Sequence, residues 1–263
     1  MSSRDADPDA LIAFAVRLAE ISGPIARRYF RRPLEVIDKS DATPVTIADR
    51  EAEAAMRAEI ARAFPAHGVV GEELGSERAD AEFVWYLDPI DGTRSFIAGV
   101  PLFGTLIGLA RAGRPYLGII DHPALRERWI GVAGRPTTFN GAPARCRACA
   151  RIEDAQLFST DPALFEGSER AAFERVRQIA RRVRYGADCY AYGLVASGWA
   201  DLVVECDLDA TDFMALAPVI DGAGGALRDW RGGAITPASN GQILAVGDPR
   251  LLAPVQALLA APV

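Results

Sequence analysis

Residues 83–87, Phe-Val-Trp-Tyr-Leu, form an unbroken apolar run that stops at Asp88-Pro89-Ile90-Asp91-Gly92-Thr93. So short a run reads as a strand buried on both faces. Pro89 has no N–H to donate, so it is expected to end that strand's ladder. Two carboxylates, three residues apart, are then set at a buried strand end beside backbone that cannot pair as sheet. Gly92 lets a ligand approach bare backbone, and the N–H groups of Gly92 and Thr93 can point at an anion. Carboxylates for a hard cation beside N–H groups for an anion describe a metal–phosphate site. The competing reading is a simple turn, because Asp-Pro and Asp-Gly are common turn pairs. The rest of the chain decides between the two.

Before this stretch, apolar residues Leu11, Phe14, Ala15, Leu18 and Ile21 or Ser22 recur at helical spacing, predicting a helix over 9–29. Gly23-Pro24 marks a possible kink, and Arg27, Arg28, Arg31 and Arg32 form its solvated basic end. Residues 39–45 read as a polar loop. Thr46-Ile-Ala-Asp49 opens a second helix, to about residue 64, as a capping box. Val69-Val70 reads as a short strand ending in Gly71-Glu72-Glu73. After the opening stretch, residues 102–110 and 115–120 read as a strand hairpin, with further strands at 128–132 and 137–140 and a turn at Asn140-Gly141. The second part alternates: strands at 155–159, 183–187, 202–205 and 243–246, and helices at 169–182, 189–198, 212–222 and 249–259. Two helices and a strand run, then strand–helix alternation, predict an α+β half over 1–148 and an α/β half over 149–263.

A chain of 263 residues, half of them hydrophobic, can bury a sizeable core. Its formal charge of −6 argues against a general nucleic-acid binder, but an anionic substrate remains open where metal ions supply the positive charge. The four cysteines are too few and too irregular for a disulfide framework, and Cys146-x-x-Cys149 lacks a second pair. Reduced thiols in a cytoplasmic protein are the expectation. The polar, acidic N-terminus is not expected to be a signal peptide, and no apolar run is long enough for a bilayer. Neither His67 nor His122 has an evident catalytic place.

Three acidic groups stand at element ends: Glu72-Glu73, Asp88 with Asp91, and Asp212. If the strands before Glu72 and Asp88 are parallel neighbours, both clusters leave one sheet edge. Carboxylates crowded there repel, and hard divalent cations relieve that.

Gly71-Glu72-Glu73, then Asp88-Pro-Ile-Asp91-Gly-Thr93, then Asp212 ahead of a helix ending at Gly224-Gly225, resembles the inositol monophosphatase family of lithium-sensitive, Mg²⁺-dependent phosphatases. The resemblance runs from about residue 10 to residue 246. It implies an αβαβα sandwich of the inositol monophosphatase and fructose-1,6-bisphosphatase type, a homodimer, and two or three Mg²⁺ ions. It also implies roles. Glu72, Asp88 and the Ile90 carbonyl would hold one metal. Asp88, Asp91 and Asp212 would hold a second, and Glu72 would reach a third through water. Gly92 and Thr93 would bind phosphate through their N–H groups. The Thr93 hydroxyl, linked to Asp49, and Glu72 would orient and deprotonate the attacking water. Lys39 and Glu73 would stand behind these groups.

The substrate side is expected from Asp91, Asp188 and Glu205. Gly186-Ala-Asp-Cys-Tyr-Ala-Tyr192, and the segment from Asp212 to Gly225, resemble the histidinol-phosphate phosphatase branch of the family. Where inositol monophosphatases carry a small apolar residue, Asp188 is a carboxylate. Asp188 and Glu205 are expected to line a pocket opposite the phosphate, suiting an ammonium and an imidazole, with Tyr190 or Tyr192 stacked on the ring. The plainer alternative makes Asp188 an N-cap and the tyrosines core. Inositol 1-phosphate is the alternative substrate. Fructose 1,6-bisphosphate and phosphoadenosine phosphate would want basic residues there, and Arg181, Arg182 and Arg184 are expected to scatter on a helix-to-strand junction. A non-catalytic binding module is the remaining class, disfavoured because the metal and water-activating positions are intact.

Overall fold

The computed structural model describes residues 7–33, 36–38 and 44–261. Helix α1 (Pro8–Tyr29) buries Leu11, Phe14, Ala15, Leu18 and Ser22 on one stripe, as the spacing requires. Strands β1 (Val36–Asp38) and β2 (Pro44–Thr46) pair antiparallel, so Pro44 and Val45, expected in the loop over 39–45, are in a strand. The expected site residue Lys39 lies outside the described residues. Helix α2 (Ile47–Ala63) starts with the expected capping box of Thr46 and Asp49.

Next come β3 (Gly68–Gly71), β4 (Gly75–Glu77), β5 (Phe83–Asp91), the one-turn helix α3 (Thr93–Ile97), and β6 (Gly104–Arg111). They are followed by β7 (Arg114–His122), β8 (Glu127–Val132), β9 (Arg135–Phe139) and β10 (Ala142–Pro143). These form an eight-stranded sheet in the order β10-β9-β8-β7-β6-β5-β3-β4. Pairing is antiparallel except between β3 and β5, which run parallel. Pro89 does not end β5. The register against β6 instead slips between Asp88 and Asp91. Asp88 Oδ1 accepts from its own Ile90 N–H at 2.9 Å, and Thr105 Oγ1 donates to the Pro89 carbonyl at 2.8 Å, so the irregular residues keep partners.

The chain continues through β11 (Gln156–Ser159), α4 (Gly167–Ile179), β12 (Arg182–Tyr185), α5 (Tyr190–Ala196) and β13 (Leu202–Glu205). It ends with α6 (Ala210–Gly222), β14 (Ala226–Asp229), β15 (Ile243–Val246) and α7 (Leu252–Ala260). The second sheet has the order β12-β11-β13-β15-β14. It is mixed: β12, β11 and β13 are parallel, while β15 runs against both β13 and β14.

Alternation along the strands sorts side chains between layers. Phe83, Trp85 and Leu87 face α1 and α2, whereas Val84 and Tyr86 face the middle layer of α5 and α6. Across that layer stand Phe158, Val203 and Ala245, while Leu157, Leu202, Val204 and Leu244 turn outward to α4 and α7. The result is the αβαβα sandwich. Helix α6 is apolar almost all round, as a middle-layer helix must be. It lies on a track of Gly108, Gly118 and Gly131, paired across β6, β7 and β8, where any Cβ would run into the α6 backbone. No described helix is long and apolar enough to cross a membrane.

Candidate active site

Because β3 and β5 are parallel, Glu72 and the Asp88–Asp91 segment leave the sheet at the same edge. The α6 N-terminus brings Asp212 there from the far half of the chain. Asp88, Asp91 and Asp212 place one carboxylate oxygen each within 4.8 Å of one another. Asp88 is buried, and the other two are half-buried. Loss of water raises the titration of all three. The charges of Glu72, Asp91 and Asp212 raise Asp88 further, as does a hydrogen bond with the Glu72 carboxyl. Asp91 is pushed up to about 7 by burial and then by Asp188, against the Cys189 N–H that donates to its Oδ2 at 2.7 Å. Asp212 is raised by burial and by Asp91, although the Asp209 N–H, 2.8 Å from its Oδ2, opposes this. An oxygen-only set of crowded carboxylates held against their own repulsion fits a hard divalent cation.

Beside this set the chain turns through Gly92, whose φ of +77° is cheap for glycine, into α3. The first N–H groups of a helix have no intrahelical carbonyl to meet, which leaves the start of α3 a place for an anion. The Thr93 hydroxyl donates to the Ile90 carbonyl at 3.1 Å. Asp49 Oδ2 accepts from the Thr46 N–H and hydroxyl at 2.9 and 2.5 Å, and burial lifts its titration to about 6. The expected link from Thr93 to Asp49 is not among the described hydrogen bonds. Glu73 sits in the turn after Glu72, where its N–H donates to Glu53.

The residues expected on the substrate side share a topological cause. The C-terminal ends of the parallel strands β11, β12 and β13 fall on one edge, where ligands of α/β sheets gather. Thr160, Asp188 and Glu205 follow or end these strands. Glu205 is buried; its Oε1 accepts the Thr160 N–H at 2.8 Å and the hydroxyl at 3.0 Å, and burial raises it to about 8. Asp188 is not the N-cap of α5. It has φ +47°, and Ser95 Oγ donates to its Oδ2 at 2.5 Å. A Cβ on Gly92 would lie 2.6 Å from Asp188 Oδ2. Asp188 therefore lies over Gly92 at the start of α3, beside the expected phosphate position rather than across a pocket from it.

A sequence profile of the inositol monophosphatase family matches residues 7–260. The chain belongs to the inositol monophosphatase family. The structure of an inositol monophosphatase from Zymomonas mobilis superposes with a TM-score of 0.89 at 45% identity, covering 96% of this chain and 98% of that one. The bifunctional phosphatase IMPL2, chloroplastic, of Arabidopsis thaliana is 49% identical over 230 residues, 87% of this chain and 66% of that longer protein. The histidinol-phosphatase of Chlorobaculum parvum is 39% identical over 223 residues, 84% of this chain and 86% of that one. The family is one of phosphatases, hydrolases of phosphate monoesters.

Within this inositol monophosphatase frame, several neighbours of the site escaped the sequence reading. Ser95, Thr160 and the Cys189 N–H hold Asp188, Glu205 and Asp91 in place. Only Ser95 had a signal, as the second residue after Thr93; the other two needed the fold. Tyr192 is fully buried in the middle layer, which removes it as a stacking partner. Tyr190 is half-buried and donates to Glu127 Oε2 at 2.8 Å. Arg182 and Arg184 do not scatter. Two apart on β12, they line one cavity of about 450 Å³ with Leu102, Gly186, Ala187 and Tyr190. His67 and His122 are buried; His67 Nδ1 lies 3.1 Å from Trp85 Nε1, and His122 Nδ1 lies 2.9 Å from the Phe103 carbonyl oxygen.

Proposed function

We propose that the chain is a Mg²⁺-dependent phosphatase that hydrolyses L-histidinol phosphate to L-histidinol and phosphate, a step of histidine biosynthesis. One observation carries the substrate: the Asp188 carboxylate over Gly92, held by Ser95. In histidinol phosphate the ammonium sits on the carbon next to the phosphorylated CH₂. A substrate whose phosphate lies at Gly92 and Thr93 brings that ammonium beside Asp188. Inositol 1-phosphate offers only a neutral hydroxyl there, and a carboxylate next to a phosphate seat is costly without a cation between them. The resemblance to the histidinol-phosphatase of Chlorobaculum parvum supports the same substrate.

In this reading Glu72, Asp88, Asp91, Asp212 and the Ile90 carbonyl hold Mg²⁺. Bound Mg²⁺ supplies Lewis-acid charge and lowers the pKa of water to where hydroxide is available. Gly92 and Thr93 N–H groups take phosphate oxygens. Glu72 and Thr93, with Asp49 behind, orient the attacking water and receive its proton. Lys39 and Glu73 support them. Asp188 takes the ammonium, and the free side of Glu205 takes the imidazole with Tyr190 at its edge. The arginine-lined cavity beside Gly186 favours a second reading, a substrate with two anionic groups such as fructose 1,6-bisphosphate.

Replacing Asp188 by Asn or Ala tests the substrate. Losing one charged hydrogen-bond partner should lower kcat/KM on histidinol phosphate about ten- to a hundredfold. On inositol 1-phosphate the change should stay within about threefold on the same scale. Equal losses on both would make Asp188 a support for Gly92 and Ser95 and sink its role in recognition.

A further inference from the structure

Glu72 stands on a turn, between the end of β3 at Gly71 and the start of β4 at Gly75. What holds that turn comes from helix α2. Glu53 is fully buried, an uncommon place for a carboxylate. Its Oε2 accepts the Glu73 N–H at 2.8 Å, and its Oε1 accepts the Leu74 N–H at 3.2 Å. One helical turn on, Arg57 donates from Nε to Glu53 Oε1 at 2.7 Å and from Nη2 to the Gly75 carbonyl. Gly71 makes room for this clamp, since a Cβ there would overlap the Glu53 carboxylate. A carboxylate thus takes two consecutive turn N–H groups, and the guanidinium takes the carbonyl that closes the turn.

A buried ion pair is often no more stabilising than apolar residues of the same volume. Stability alone gives little reason for this one, whereas fixing a direction does. We propose that Glu53 and Arg57 are positioning residues for the phosphatase reaction: they set the angle at which Glu72 leaves its turn toward Asp88. Both act through Glu72, and neither is among the residues assigned to substrate or metal. The proposal rests on the assignment of Glu72 to the metal and the attacking water.

The test compares Glu53→Gln, Arg57→Lys and Glu72→Gln in the full chain. An amide at position 53 must turn its NH₂ toward one of the two turn N–H groups, and lysine at 57 cannot fork. Outer groups that orient metal ligands are worth about ten- to a hundredfold. Folded Glu53→Gln should lose about that factor in kcat, with KM for the phosphate ester within about threefold. Calorimetric Mg²⁺ titration of the substrate-free protein should shift to weaker binding. Amide exchange at Glu73 and Leu74 should quicken. Arg57→Lys should show the same pattern more weakly, and it carries the test if Glu53→Gln does not fold. Wild-type kcat and Mg²⁺ affinity in folded Glu53→Gln or Arg57→Lys, while Glu72→Gln loses both, would overturn the clamp alone. Retention of both by Glu72→Gln would instead overturn the assignment of Glu72.

Discussion

Glu205 and Asp188 show how much one side chain's setting decides. From the sequence both are expected as acids on the substrate side, because Gly186-Ala-Asp188 and Glu205 keep their order ahead of Asp212. Their settings were not legible. Asp188 adopts φ +47°, which Asp tolerates better than most residues, and this swings its carboxylate over Gly92. Glu205 is buried, which raises it from 4.5 to about 8 in the substrate-free protein. The sign of the pH effect follows. A raised folded-state pKa contributes stability that is present below 4.5 and lost as pH rises through about 8. Metal-free wild type should therefore lose stability relative to Glu205→Gln across that window, as read by urea unfolding at a series of pH values. Parallel curves for the two proteins would mean that Glu205 titrates like an exposed carboxyl.

Helix α6 carries Asp212 to the acidic cluster of Asp88 and Asp91, and its seat is the glycine track on β6, β7 and β8. A methyl at Gly118 would overlap the Ala215 carbonyl, and backbone cannot swing aside as a long side chain can. Gly118→Ala should cost about 1–3 kcal/mol, the usual range for overpacking. Thermal unfolding should show it as a lower Tm, with kcat falling in the folded protein because Asp212 is displaced. An unchanged Tm would show that α6 has slack on the sheet. Most elements were legible from periodicity: α1, α2, β3, the β6–β7 hairpin and α6 all lie near their expected positions. The misses have physical causes. β4 (Gly-Ser-Glu) is exposed throughout and has no apolar signal. β14 follows Gly224-Gly225 with charged Arg228 and Asp229. Pro89 kept its place in β5 because Asp88 and Thr105 took over hydrogen bonds that its ladder lost. Arg182 and Arg184 fell on one face because β12 starts at Arg182, so residues two apart point the same way.

The αβαβα sandwich brings together acids far apart in the chain: Asp88 and Asp91 from one sheet, Asp212 from the middle layer, and Asp188 and Glu205 from the edge of the other sheet. The chemistry was readable in advance because Asp88 to Thr93 is contiguous. The proposed substrate is less legible, because Asp188 and Glu205 come beside Asp91 only once β5, α3 and the three parallel strand ends meet. The proposed activity is that of a Mg²⁺-dependent phosphatase tuned to an ammonium next to its phosphate. The most direct test is phosphate release by the unmodified protein, with Mg²⁺ and with excess chelator, from histidinol phosphate, inositol 1-phosphate, fructose 1,6-bisphosphate and phosphoadenosine phosphate in parallel. Turnover should vanish with chelator, and kcat/KM should be highest on histidinol phosphate. Chelator-resistant turnover, or a higher kcat/KM on inositol 1-phosphate or either two-anion substrate, would contradict it.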